Sequence, residues 1–153
     1  VSVLLLANIA VTAALVGLIW TIQVVHYPLF PKVGAPEWGQ YHKSHTVRIT
    51  FVVAPLMLAE LVLTLALAVS PPADALQARL IWWALGLMVV VWISTFGIQV
   101  PLHGRLERTT EGHAPDPQVV QMLVRTNWVR TVGWTIKLLL LCSAMLCGAA
   151  HAT

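Results

Sequence analysis

The chain predicts an all-α fold, an integral membrane bundle of four helices, and three observations carry that expectation. Of its 153 residues 58% are hydrophobic and only 10% charged, whereas an ordinary soluble domain carries about 25% charged residues. Four apolar runs reach the roughly 20 residues that a helix needs to cross a bilayer. The segments between these runs are short and polar, which leaves no room for a soluble module. Residues 1–153 therefore read as a single four-span membrane domain.

The first run, Val3–Val25, has no basic start and no small-residue cleavage pattern. It is also too long for the apolar part of a signal peptide, so it reads as a true span. It leads into "HYPLFP", where Pro28 and Pro31 are expected to stop the helix. The next segment, "APEWGQYHKSH", can begin a helix before the lipid is reached. Pro36 suits a first helical turn and Glu37 suits its positive end.

The second run is Val47–Ser70. Pro55 is expected to kink it, which neighbouring helices in a membrane can tolerate, and Pro71 and Pro72 end it. The third, Leu80–Val100, meets Pro101 as a bend or end. A polar loop, "GRLERTTEGHAPD", follows. Asp116 and Pro117 then read as the cap and first position of a last helix, which contains the fourth run, Trp128–Ala150.

The basic residues suggest an orientation. Lys32, Lys43, Arg48, Arg105, Arg108, Arg125 and Arg130 lie in or beside the first and third loops, against Arg79 alone at the second. By the positive-inside rule those two loops are cytoplasmic and both termini are not. A bacterial inner membrane is the expected location. The net charge of +3 is thus a topology signal, and no nucleic-acid partner is expected. Cys142 and Cys147 stand about 140° apart around a helix and read as packing residues. Trp20, Trp38, Trp82, Trp83 and Trp128 lie near span ends and read as interfacial anchors; Trp92 and Trp134 lie deeper and read as packing. His113 in the third loop and His151 in the tail read as incidental.

Alternating topology then brings four span ends to one side, and the polar residues gather there. Gln23 and His26 close the first span. Tyr41, His45 and Arg48 fall at i, i+4 and i+7 on the approach to the second, with His42 beside them. Gln99 and His103 leave the third, and Asn127, Arg130, Trp134 and Lys137 form a stripe into the fourth. Residues at such offsets share a helix face. Hydrocarbon cannot hydrogen-bond these groups, so they are expected to meet each other or a wet cavity. The opposite end offers only weak groups such as Asn8, Thr12 and Thr64.

Two charges lie deeper. Glu60 is about 12 residues, roughly 18 Å of helical rise, past Arg48, and Lys137 is about 10 residues, roughly 15 Å, past Asn127. The matching depths predict an ion pair, with a register role and a proton or ligand role both open.

His26, His42, His45 and His103 admit three readings. They can be imidazole ligands for copper, iron or zinc, members of a hydrogen-bonded polar pocket, or independent interfacial residues. No Glu-x-x-His pattern accompanies them. A haem is not expected, because its axial histidines would have to lie deep between helices.

"GIQVPLHGRLE" and "VRTNWVRTVGW" are similar to segments of the anthrone oxygenase-like family of small four-helix membrane proteins. The resemblance is carried by Val100, Pro101, Leu102 and His103, by Asn127, Arg130 and Thr131, and by "HYPLF". It implies oxidation of anthrone-type aromatics, with Asn127 and Arg130 binding an oxygen of a phenol or quinone-like ligand. The additional histidines His26, His42 and His45 depart from the family pattern and bring a metal into consideration.

The expected function is a pocket at the cytoplasmic end of the bundle, in a small oxidoreductase acting on an apolar aromatic. His45, Arg130 and Asn127 are the candidate catalytic residues. Gln23, Tyr41, Arg48, Gln99, Trp134, Lys137 and Glu60 are expected to line the ligand site. The alternative is a non-catalytic accessory subunit of a larger membrane complex, or a homo-oligomer held by the same polar groups. A transporter fits less well, since one polar end gives no continuous path.

Overall fold

A computed structural model describes residues 3–109 and 112–150; His151 lies outside them. Four helices long and apolar enough to cross a membrane make up nearly all of it: Val3–Lys32, Ala35–Val69, Ala75–Glu107 and Pro117–Gly148. Among the described residues there is no strand. We number these helices one to four.

Each helix is longer at the site end than its apolar run. Helix one does not stop at Pro28. It passes from α-helix (Val3–Thr21) through a π turn (Ile22–His26) and a short α turn (Tyr27–Leu29) to a 3-10 turn (Phe30–Lys32). Helix three likewise passes Pro101, through a second π turn at Thr95–Gln99 and on as α-helix Val100–Glu107. The two π turns have one physical cause. Proline lacks an N–H and its ring crowds the carbonyl four residues back. Those carbonyls belong to Val24 and Gly97, inside the two π turns, where one extra residue per turn relieves the clash. Pro55 behaves differently, because helix two is α-helical without interruption from Ala35 to Val69.

Helix starts follow local chemistry. The Glu37 carboxylate folds back over Gly34, so a side chain at position 34 would collide with it. Asp74 caps helix three by accepting from the Gln77 N–H at 2.7 Å. Asp116 accepts from the Gln118 N–H at 2.8 Å, as the sequence leads one to expect for a residue before Pro117.

The bundle core has two parts. The larger, at the end of the first and third loops, includes Leu15, Ile19, Phe30, Trp38, Val91, Leu106, Leu123 and Trp134. The smaller, at the other end, includes Leu5, Leu67, Ile81, Ala84, Leu141 and Ala144. Helices three and four approach closely at Gly133, where an added Cβ would lie 2.8 Å from Val91 Cγ2. Close approach at a small residue is how membrane helices gain packing without a hydrophobic driving force.

The outer surface is apolar. Phe51, Val62, Trp83, Ile93, Leu139 and Leu146 are each more than 60% exposed, a surface suited to lipid. Trp20, Trp82, Trp83 and Trp128 are exposed as expected of anchors, but Trp38 is fully buried. Its indole stacks on the His42 ring at 5.1 Å and donates to the Leu106 carbonyl at 3.4 Å. Trp38 belongs to the core because helix two begins well before the lipid and packs that early turn against helix three. Cys142 and Cys147 are both partly buried, and no disulfide joins them.

Candidate functional site

Polar side chains from all four helices meet in three layers at and below the end that carries the first and third loops. The outermost layer is imidazole. His26 Nε2 and His45 Nδ1 share a hydrogen bond of 2.8 Å, and His42 Nε2 and His103 Nδ1 one of 3.1 Å. The Tyr27 hydroxyl meets His103 Nε2 at 3.0 Å. Phe30 packs against this group edge-on, with its ring 5.2 Å from His26 and 5.5 Å from His45.

Tyr27 and the two inner histidines form a chain whose tautomers are linked. If Tyr27 donates to His103 Nε2, then His103 donates from Nδ1 to His42 Nε2, and the proton of His42 sits on Nδ1. If Tyr27 accepts, both bonds reverse and His42 Nδ1 carries a lone pair. Either way His42 Nδ1 is buried with no partner. One proton moved at Tyr27 therefore changes what His42 presents.

The expected ligand set of His26, His42, His45 and His103 is brought together, but as two hydrogen-bonded pairs. Five of their eight ring nitrogens are turned to one another or to Tyr27. Among the described residues no group of three or more His, Cys, Asp or Glu is arranged to hold a metal ion. Arg48 also departs from expectation. The stripe Tyr41, His45 and Arg48 faces an outer groove of about 640 Å³ shared with His26 and Glu37. His42, one residue round the helix, is the one that points inward and is fully buried.

The middle layer is built on helix four. Asn127 Nδ2 donates to Gln23 Oε1 at 2.8 Å, and its Oδ1 accepts from Arg130 at 3.3 Å. Gln23 Nε2 donates in turn to the Val124 carbonyl at 3.2 Å. Gln99 Nε2 donates to Thr126 Oγ1 at 2.8 Å. Both glutamines sit in the π turns, which set them against helix four. Arg130 is 6% exposed and its guanidinium lies 5.1 Å from the centre of the Trp134 ring. Among the described residues no carboxylate lies within ion-pair distance of it, the one such pair being Lys137 with Glu60.

That pair forms the deepest layer, at 2.6 Å with both side chains fully buried. The Trp134 indole donates to both Glu60 oxygens, at 3.0 and 3.1 Å. Lys137 also donates to Thr64 Oγ1 at 2.9 Å, and at 3.4 Å to Asn8 Oδ1 and Thr12 Oγ1. Asn8 donates to Thr64 at 3.1 Å. The depth match in sequence anticipates the ion pair. It misses the neutral shell of Asn8, Thr12 and Thr64, although Asn8/Thr12 and Glu60/Thr64 are visible i, i+4 pairs facing Lys137.

Between helices two and three lies a cavity of about 530 Å³. One wall is Ile49, Val53, Met57 and Leu58 of helix two, and the other is Trp92, Thr95, Phe96, Gln99 and His103 of helix three; Arg130 and Tyr27 also reach it. Trp92 Nε1, Gln99 Oε1 and Arg130 Nε are buried without hydrogen-bond partners. Three orphaned polar atoms around one apolar cavity are unusual, because each carries a desolvation cost that a ligand oxygen would relieve. His45 lines both this cavity and the outer groove, so it is the wall between them. The sequence does not single out Tyr27, Trp92, Thr95 or Thr126 as site residues; Tyr27 and Thr95 stand one turn from Gln23 and Gln99, and Thr126 stands beside Asn127.

No family model, curated protein or solved structure matches this chain. The resemblance to the anthrone oxygenase-like family accordingly rests on "HYPLF" and the short motifs around Pro101 and Asn127 alone.

Proposed function

We propose that the chain is a ligand-binding protein of the bacterial inner membrane whose cavity takes an apolar aromatic carrying an oxygen, of the phenol or quinone class. Both termini lie on the non-cytoplasmic side in this reading, which the Lys and Arg bias of the first and third loops supports. Arg130 holds the ligand oxygen, and Asn127 keeps the guanidinium in place from behind. Trp92 and Gln99 offer a second donor and an acceptor. His45 and His103, on the cavity wall, are placed to give or take a proton at the ligand. Family resemblance extends this to an oxidoreductase acting on the bound ring.

The observation that carries the reading is the set of orphaned polar atoms around an apolar cavity. Its volume, about 530 Å³, lies within the roughly 300–1,000 Å³ of small-molecule sites. A test is quenching of tryptophan fluorescence by 1,4-naphthoquinone, with the protein in lipid nanodiscs. Saturable binding is expected, and Val53→Trp, which fills the slot, is expected to weaken it at least tenfold. Binding unchanged by Val53→Trp would place the ligand elsewhere. Element analysis of the same sample decides the metal: copper, iron or zinc at one per chain, lost in His42→Ala, would restore the ligand reading of the histidines. A native mass showing a fixed complex with another protein would favour the accessory-subunit reading.

A further inference from the structure

The cavity has a side on which it opens and, in Arg130, a charge that pairs with no carboxylate among the described residues. Leu58, Phe96 and Val100, which border it, are 55%, 57% and 52% exposed, and all three lie on the outward faces of helices two and three. A mouth rimmed by exposed apolar residues of two spanning helices faces the apolar outer surface of the bundle. Toward the outer groove the way is blocked by His45, hydrogen-bonded to His26.

At the inner end is Arg130, a guanidinium that keeps its charge in proteins. It is nearly fully buried, with its Nε unpartnered and no carboxylate paired with it among the described residues. Glu107 does line the cavity, but it is exposed, at the loop end of helix three. Glu60 is held by Lys137 and Trp134. A charge isolated in this way calls for a counter-ion of the opposite sign.

We propose that the ligand is a membrane-dissolved acidic phenol or hydroxyquinone, which enters sideways from the bilayer between helices two and three and binds as its anion, with Arg130 as counter-ion. This rests on the binding function proposed above and narrows it. The aromatic lining favours a flat ring. Trp92 and Phe96, 5.4 Å apart, form an aromatic wall, and Val53 and Met57 face them with aliphatic surface. Trp92 Nε1, also unpartnered, is a second buried donor on the same cavity that a ligand oxygen can satisfy.

The test compares three probes on the protein in nanodiscs: 2-hydroxy-1,4-naphthoquinone, which is an anion at neutral pH, neutral 1,4-naphthoquinone, and dodecanoate. The hydroxyquinone is expected to bind at least tenfold tighter than the neutral quinone. Arg130→Gln is expected to abolish that preference, weakening the hydroxyquinone at least tenfold more than it weakens the neutral quinone. Arg130→Lys, which keeps a charge, is expected to retain part of the preference, and this separates loss of charge from loss of fold. Equal binding of both quinones overturns the counter-ion proposal and leaves the binding function standing. Tighter binding of dodecanoate overturns the aromatic class. Failure of all three probes to bind overturns both.

Discussion

Replacing Lys137 by Met removes the cation from a pair buried at 2.6 Å and leaves the Glu60 carboxylate with only the Trp134 indole. Most of the neutral shell survives the change. Thr64 still accepts from Asn8 and donates to the Glu60 carbonyl, and Asn8 still accepts from Thr12. The cost is therefore concentrated on one uncompensated charge, for which about 3–5 kcal/mol is typical. Unfolding in micelles keeps the helices formed and lets separated polar groups find partners, so the lower end of that range is expected.

The double variant Glu60→Gln, Lys137→Met removes both charges and retains, in the amide oxygen at position 60, an acceptor for the Trp134 N–H. It is expected to lie within about 1 kcal/mol of the parent or above it, as buried pairs replaced whole often do. The assay is equilibrium unfolding by SDS titration of mixed micelles, followed by circular dichroism, for the parent, both single variants and the double. A coupling energy of about 2 kcal/mol or more is the expected result. Should Lys137→Met be no worse than the double variant, the pair would not be a charged unit and the reasoning fails.

Three further outcomes follow from particular contacts. Asn127→Leu strips Gln23 Oε1 and Arg130 of their shared partner and is expected to cost about 1–3 kcal/mol in the same SDS titration, the penalty for orphaned buried groups. Gly133→Ala drives a Cβ to 2.8 Å from Val91 Cγ2 and is expected to cost about 1–3 kcal/mol by overpacking; adding Val91→Ala should return most of it, as measured by the shift in unfolding midpoint. Asp74→Ala removes the cap on the Gln77 N–H and is expected to cost about 1 kcal/mol, seen as faster amide exchange confined to the first turn of helix three.

The spans and the gathering of polar groups at one end were legible because hydrocarbon penalises polar atoms so heavily that their positions along a helix carry information. The depth match of Glu60 and Lys137 is the clearest example. The facing of apolar residues was not legible in the same way, since lipid and bundle core are equally apolar. Trp38 could thus be read as an anchor although it is buried, and nothing in the sequence marks the slot between Val53 and Trp92. Arg48 shows a further limit: a shared helix face says which residues point together, and not whether they point inward. The π turns at Ile22–His26 and Thr95–Gln99 follow from proline chemistry, yet Pro55 in an unbroken helix shows that the residue alone does not decide.

The account stands on Arg130 and the cavity beside it as a binding site reached from the bilayer. Photo-crosslinking tests that most directly, using an azide-bearing 2-hydroxy-1,4-naphthoquinone on the protein in nanodiscs, with labelled residues mapped by mass spectrometry. Label is expected on both walls, at residues 53–58 of helix two and 92–100 of helix three, competed by unlabelled hydroxyquinone and reduced in Arg130→Gln. Label confined to the outer groove around Glu37 and Arg48, or spread over the lipid-facing surface without competition, would contradict it.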